Sequence, residues 1–275
     1  MTGYYIFILV LNAAGIVLLI RWLAMTGFGT KALDRVEQRR NFMPYYLPVG
    51  VIFCWLLLYV VSSNLAESLT SEMLGWQQKL ATYSFFVAIE IVVIVFIIFS
   101  VRKYFEDGLY GFGLRVRGIF RDIAAAAGIF VAAWPLVFIA LLIVLQLGRF
   151  FVGPDFQMER NEGLTVILEY KQWSLRILMI FFATILTPIF EELVFRGLLQ
   201  SYLRNIYYGP WPSIFIASTL FSVLHPVMHF PAIFALSVAM GYAYEKSGSL
   251  FRSIFIHIFF NASAIVFALL GNWAI

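Results

Sequence analysis

Long apolar runs with almost no charge are the feature that most constrains how this chain can fold. The runs are, in chain order, Tyr4–Ile20, Met43–Val61, Ala81–Ser100, Ile123–Leu147, Leu175–Phe195, Trp211–His229, Pro231–Tyr244 and Ser253–Leu270. Hydrophobic residues make up 62% of the 275 residues and charged residues only 12%, which excludes a soluble fold. Only helices and closed barrels satisfy their backbone hydrogen bonds in lipid, and continuous runs argue against a barrel. We therefore predict an all-α, polytopic integral membrane protein with about eight transmembrane helices.

The placement of lysine and arginine predicts the orientation of these helices. Most of the 19 basic residues fall in the segments after the first, third, fifth and seventh runs. By the positive-inside rule those segments are cytoplasmic and both termini face outward. The first run has no basic residues ahead of it and no small-residue cleavage site, so we expect a retained span and not a signal peptide. The net charge of +4 is spread over the loops, which predicts no nucleic-acid partner.

The sequence Glu-Glu-Leu-Val-Phe-Arg-Gly, at Glu191–Gly197, places two acids at the end of an apolar run. Ionisable groups inside a membrane are costly, and they are candidates for function. On a helix, Glu192 would pair with Arg196 four residues later, while Glu191 would point about 100° away. We interpret the motif as a free carboxylate beside a braced one, near the cytoplasmic leaflet. The alternative is a charge cluster that closes a helix at the lipid surface.

Two other residues in the apolar runs are unusual. Pro188 has no N–H, which should free the carbonyl of Thr184 and bend the helix just before the acids. Glu90 is a lone acid in the sequence Ala-Ile-Glu-Ile-Val-Val. We expect a protonated core group with a hydrogen-bond partner at this position, and an acid that lines a cavity is the alternative.

All 3 histidines lie in or next to the last apolar runs. Phe221 and His225 share a helical face at four-residue spacing, and so do His257 and Asn261. A single histidine in a membrane helix is more often a hydrogen-bonded interior group than a catalyst. Here three helices each carry a polar pair that lipid cannot satisfy. We therefore predict that the pairs face each other around a polar intramembrane cavity.

Such a cavity would suit the activation of water. A carboxylate and a neutral imidazole can hold and deprotonate a water molecule, while an asparagine amide and an imidazole N–H can stabilise an oxyanion. The motifs contain no serine or cysteine nucleophile with an adjacent base, which favours a general-base hydrolase without a covalent intermediate. Zinc is the alternative, because two histidines and a glutamate can bind it. Two histidines flanking a glutamate on one helix turn are absent, so we predict neither a metal nor another cofactor.

The motifs resemble those of a known family. The sequence TPIFEELVFRGLLQ at Thr187–Gln200 resembles its first motif, with two glutamates and an arginine four residues later. The second motif is similar to Phe221–His225, and the third to Ser249–Ala262. Together they resemble the type II CAAX prenyl endopeptidases and their relatives among bacteriocin-processing and self-immunity membrane proteins.

The resemblance implies an intramembrane glutamate-type endopeptidase with a cavity open to the cytoplasmic leaflet. It implies that Glu191 and His225 activate the water and that His257 and Asn261 form the oxyanion hole. The supporting or substrate-orienting residues that it implies are Glu192, Arg196 and Phe221. In the namesake enzymes the substrate is a prenylated C-terminal Cys-a-a-X tail, from which three residues are released. His229 falls outside the pattern, and we interpret it as a helix-end residue.

We expect residues 1–275 to form a single transmembrane domain. Residues 1–173 would supply a variable N-terminal part of four helices plus an outer-surface loop, and residues 174–271 the motif-bearing catalytic core. The expected partners are a peptide or lipidated protein substrate and membrane lipid, in the plasma membrane of a prokaryote or in an endomembrane. The alternative is a non-catalytic binder or scaffold, such as a self-immunity protein, that uses the same pocket.

Overall fold

The protein is helical throughout the residues that its computed structural model describes, which are 2–207 and 209–270. The helices are α1 (Thr2–Thr26), α2 (Tyr46–Thr70), α3 (Gly75–Tyr104), α4 (Gly108–Phe112), α5 (Ile119–Phe151), α6 (Glu162–Glu169), α7 (Trp173–Ile206), α8 (Pro210–Val223), α9 (Phe230–Ser247) and α10 (Leu250–Leu269). Within these ranges no strand forms, and the one β-type pairing is an isolated bridge between Asn41 and Phe105. The prediction of an all-α, polytopic membrane protein is confirmed.

Each of the predicted apolar runs is a helix in the structure, but the sixth is shorter than predicted. Among the described residues, 7 helices are long and apolar enough to cross a membrane, whereas α8 has 14 residues. The predicted end of this run at His229 is wrong, because α8 ends at Val223. Pro226 disfavours a helical conformation at the residue before it, and a 3₁₀ turn at Val227–His229 leads into α9.

The fifth run is longer than predicted, and this changes the depth of the acidic motif. Helix α7 does not end at Phe195 but continues to Ile206. At about 1.5 Å per residue, Glu191 lies roughly 22 Å from that end of the helix. Helix α8 starts from the same side and is about 21 Å long, so it ends at a similar depth. A short α8 is therefore long enough to bring its last residues level with the acids.

The helices that carry motifs pack together, and α2, α3 and α5 pack against them. Helix α5 packs against α1, α9 and α10, and α8 packs against α9. Helix α7 contacts α2 and α3 on one side and α8 and α10 on the other. The largest buried apolar cluster includes residues of all these helices except α1. The site thus lies between α7, α8 and α10, with α2 and α3 behind it.

Gly197 allows close contact between α7 and α4. A Cβ atom at this position would lie 2.1 Å from Cζ of Phe112, a ring that is fully buried. We expect Gly197→Ala to lower the free energy of unfolding by about 1–3 kcal/mol, because overpacking forces the neighbours to shift. Thermal unfolding of the detergent-solubilised protein measures this loss. Gly128→Ala is the control, since nothing lies within 4 Å of a Cβ there, and equal destabilisation by both changes would contradict the close contact.

Candidate active site

Glu192 is the most completely bonded acid of the site. Its Oε1 accepts a hydrogen bond from Nη1 of Arg196 at 2.9 Å and lies 3.0 Å from Nδ1 of His257. Its Oε2 accepts from the hydroxyl of Ser253. Glu192 is fully buried, so its charge is compensated by these contacts instead of by water. The pairing of Glu192 with Arg196 that the spacing predicts is present.

The guanidinium of Arg196 is bound on both sides. Its Nη2 donates to Oγ of Ser237 at 2.8 Å and approaches the Ser237 carbonyl oxygen at 3.4 Å. Its Cζ lies 4.5 Å from the centre of the Phe221 ring, within the range of a cation–π contact. These contacts join α7 to α8 and α9 at the level of the acids. The bound guanidinium braces the acidic motif and also links three helices.

His257 lies between the two glutamates. Its Nδ1 faces Oε1 of Glu192, and its Nε2 is 3.6 Å from Oε2 of Glu191. Because an ionised carboxylate only accepts hydrogen bonds, Nδ1 carries the proton of the contact with Glu192. Nε2 then has a proton to donate only when the imidazole is charged. The contact with Glu192 orients the ring so that Nε2 faces Glu191.

Glu191 is the freer of the two acids. Its side chain is 12% exposed, whereas that of Glu192 is 0% exposed. The hydrogen bond from Arg196 goes to Glu192, whereas Oε2 of Glu191 has a longer contact of 3.6 Å with Nε2 of His257. This arrangement matches the interpretation of the motif as a free carboxylate beside a braced one.

His225 lies in the turn just beyond α8, against the ring of Phe221. The ring centroids of the two residues are 4.7 Å apart, and Nδ1 of His225 is 3.0 Å from the Phe221 carbonyl oxygen. Because a carbonyl only accepts, we infer that Nδ1 carries the hydrogen and that Nε2 of the neutral ring is an acceptor. The same phenyl ring contacts the edge of His257, with centroids 5.8 Å apart. Phe221 therefore packs against both imidazoles, although within the described residues no hydrogen bond joins His225 to either glutamate.

Asn261 follows His257 by one turn of α10 and binds the backbone of α7. Its Nδ2 donates to the carbonyl oxygen of Ala183 at 2.8 Å. This carbonyl lies in a π-helical segment, Phe182–Leu186, where an N–H bonds five residues back. Counted in that register, the N–H that is missing at Pro188 would be the partner of the Ala183 carbonyl, whereas the α-helical register of the prediction assigns it to the carbonyl of Thr184. One hydrogen of the Asn261 amide is used in this contact, and the second has no acceptor among the described residues.

Several residues of the site are not predicted from the sequence. Ser253 precedes His257 and Asn261 by one and two turns, so its spacing was a signal that could have identified it. Ser237 had no such signal, because it is an isolated serine in an apolar helix. Glu90 is recognisable in the sequence as a lone acid in an apolar run, but its hydrogen-bond partners cannot be deduced there. In the structure it is fully buried and accepts hydrogen bonds from Tyr59 and Thr187.

The site combines a buried polar core with a partly exposed edge. Glu192, Arg196 and His257 are buried, while Glu191, His225 and Asn261 are each partly exposed. In the described residues, no group of three or more His, Cys, Asp or Glu side chains has an arrangement that could hold a metal ion. His229 lies in the 3₁₀ turn after α8 and has no hydrogen-bond contact with the site in the described residues.

Comparison with known proteins identifies the segment that contains this site. Residues 172–263 match the family model of the type II CAAX prenyl endopeptidase Rce1-like proteins. The matched segment is about a third of the chain and extends from the start of α7 into α10. The resemblance in the motifs is confirmed for this segment, and together with the apolar helices it indicates a membrane protease. No curated protein and no solved structure matches the chain.

Proposed function

We propose that the protein is an intramembrane endopeptidase that cleaves a peptide bond near the C-terminus of a prenylated, CAAX-type or otherwise membrane-bound peptide. The observation that carries the proposal is the division of labour between the two adjacent glutamates. Glu192 is fully bonded to Arg196, Ser253 and His257, while Glu191 is partly exposed and lies 3.6 Å from Nε2 of His257. The match of residues 172–263 to the CAAX endopeptidase family supports the choice of reaction and of substrate class.

The first step is the addition of water to the scissile carbonyl. Glu191 takes one proton from a water molecule, and Nε2 of His225 accepts a hydrogen bond from the same water and orients it. The hydroxide adds to the carbonyl carbon, whose oxygen becomes an oxyanion. The neutral tautomer inferred for His225, with its hydrogen on Nδ1, supports this role.

The second step is the collapse of the tetrahedral intermediate. The oxyanion is stabilised by Nε2–H of the charged His257 and by the second hydrogen of the Asn261 amide. The C–N bond then breaks, and Glu191 returns its proton to the leaving amine. The contact of Nδ1 of His257 with Glu192 supports the charged imidazole that this step needs.

The proposed reaction needs no metal, takes place in a cell membrane, and uses an active site that opens toward the cytoplasmic side. The substrate is a peptide or lipidated protein, most of which is embedded in lipid. This position keeps its scissile bond at the depth of Glu191. The zinc alternative would place an ion between the glutamates and histidines. It predicts a stoichiometric ion in the purified protein and inactivation by chelators.

The test is mass spectrometry of the products from a panel of C-terminal Cys-a-a-X peptides, each in farnesylated and unmodified form. We expect release of a C-terminal tripeptide from farnesylated members, at a rate that chelators leave unchanged, and no stoichiometric metal by elemental analysis. Loss of activity with a chelator would overturn the metal-free mechanism. Peptides that bind but are recovered uncut would support the alternative of a non-catalytic binder.

A further inference from the structure

Glu90 is a buried acid that the proposed mechanism does not use. It lies in α3, outside the segment that matches the endopeptidase family, and it is 0% exposed. A buried carboxyl group is costly unless its oxygens are hydrogen-bonded. The helix is otherwise apolar at its centre, so a buried acid at this position requires a structural or functional explanation.

The partners of Glu90 come from two other helices. The hydroxyl of Tyr59, in α2, donates to its Oε1 at 2.6 Å. The hydroxyl of Thr187, in α7, lies 3.1 Å from both carboxyl oxygens. The Tyr59 ring is stacked on Phe86 with centroids 4.1 Å apart, which fixes the position of its hydroxyl. Glu90 therefore connects the first half of the chain to the start of the acidic motif.

The hydroxyl of Thr187 has an unusual hydrogen-bond partner for a threonine in a helix. A threonine hydroxyl in a helix commonly donates to the carbonyl four residues earlier, as Thr184 does to Ile180 at 2.6 Å. The corresponding acceptor for Thr187 is the carbonyl of Ala183. The hydroxyl is instead bonded to Glu90, and Ala183 accepts from Asn261.

Two features thus keep one backbone carbonyl available for the site. The N–H that would bond to the carbonyl of Ala183 in the π-helical register is missing at Pro188. The hydroxyl that would reach the same carbonyl from Thr187 is held by Glu90. Because neither donor uses this carbonyl, Nδ2 of Asn261 can donate to it, and this contact fixes the orientation of the Asn261 amide.

We propose that Glu90 is a positioning residue that binds the hydroxyl of Thr187 and so reserves the carbonyl of Ala183 for Asn261. It acts on the reaction through the orientation of the Asn261 amide and does not touch substrate. The inference rests on the proposed function, in which Asn261 stabilises the oxyanion.

The first test compares three threonine variants. Thr187→Val removes the hydroxyl that would compete for the carbonyl of Ala183, so we expect Asn261 to keep its contact and both kcat and KM to stay close to the wild-type values. Thr187→Ser keeps the hydroxyl and should retain kcat. Thr184→Val is the matched control, since it removes a hydroxyl from the same segment that is bonded only to its own helix. All three should unfold at similar temperatures.

The second test uses Glu90 itself in a double-mutant cycle. In Glu90→Gln the amide oxygen can still accept a hydrogen bond, so most of the activity should remain. Glu90→Leu releases the hydroxyl of Thr187 to the carbonyl of Ala183, and kcat should fall about tenfold to a hundredfold with KM little changed, because a small misplacement of a catalytic group is costly. The double variant Glu90→Leu/Thr187→Val should recover most of the kcat that Glu90→Leu loses, because it no longer has the hydroxyl that competes with Asn261. A double variant as slow as Glu90→Leu, a normal kcat for Glu90→Leu, or a large loss of kcat in Thr187→Val would each overturn the proposal.

These outcomes are separable from failure of the proposed function. If Glu191→Gln is fully active, the assignment of the base is wrong whatever the threonine variants do. If Glu191→Gln is inactive while Glu90→Leu has a normal kcat, the hydrolase stands and only the role of Glu90 is rejected. Should Glu90→Leu fail to fold, Thr187→Val still decides the question, because it keeps the acid in place and a large loss of its kcat contradicts the proposal.

Discussion

Glu191→Gln is expected to abolish peptide cleavage while leaving the fold intact. The amide has nearly the shape of the carboxylate but cannot take a proton from water. Loss of a general base typically costs about 10²–10⁴-fold in rate. The structure adds a reason to expect an intact fold, since the guanidinium of Arg196 is bonded to Glu192 and stays paired when Glu191 is neutral. The measurement is the initial rate of product release at equal amounts of folded protein.

The neighbouring acid gives the most informative comparison. Glu192→Gln leaves Arg196 and His257 without their carboxylate, so both activity and thermal stability should fall. Glu162→Gln is the matched control, because the Glu162 contact with Lys79 is largely exposed and such pairs contribute little. A Glu191→Gln variant with wild-type rate, or one that is as unstable as Glu192→Gln, would show that the two acids do not divide their roles in this way.

The sequence predicts the helices of this protein because lipid leaves a chain few alternatives. Each apolar run is a helix, but hydropathy alone predicts that α7 ends near Phe195. The helix continues because the polar residues beyond that point have partners: Arg196 binds Ser237, and Gln200 donates to the carbonyl of Gly241. These partners are supplied by α9, about forty residues later, and a local hydropathy pattern does not contain that information.

The site was predictable where its chemistry follows helical spacing, and not where it depends on contacts between helices. Spacing alone indicates the pairing of Glu192 with Arg196 and the shared face of His257 and Asn261. Spacing does not indicate that His257 lies between both glutamates, because this depends on how α10 packs on α7. The π-helical register before the acids is also invisible in the sequence, since Pro188 is compatible with either register.

Arg196→Met is expected to be the most destabilising single change in the site. It removes the cation from a fully buried pair and leaves Glu192 charged in a place that water does not reach. Breaking such a pair from one side typically costs about 3–5 kcal/mol. The hydrogen bonds from Arg196 to Ser237 and the contact with Phe221 are lost at the same time. Chemical or thermal unfolding in detergent measures the change.

A second variant shows whether the unpaired charge of Glu192 or the loss of packing in the core lowers the stability of Arg196→Met. In Glu192→Gln/Arg196→Met both charges are absent, and the double change should recover part of the stability that Arg196→Met loses, because replacing a whole buried pair is often close to neutral. Arg40→Met is the control, since Arg40 and Glu106 are exposed and 3.8 Å apart. If the double variant is less stable than Arg196→Met, the uncompensated charge of Glu192 does not cause the loss of stability. The cause is then the lost packing of Arg196 between Phe221 and Ser237. Recovery of stability without recovery of cleavage is the result we expect, because the double variant still lacks the carboxylate that contacts Nδ1 of His257.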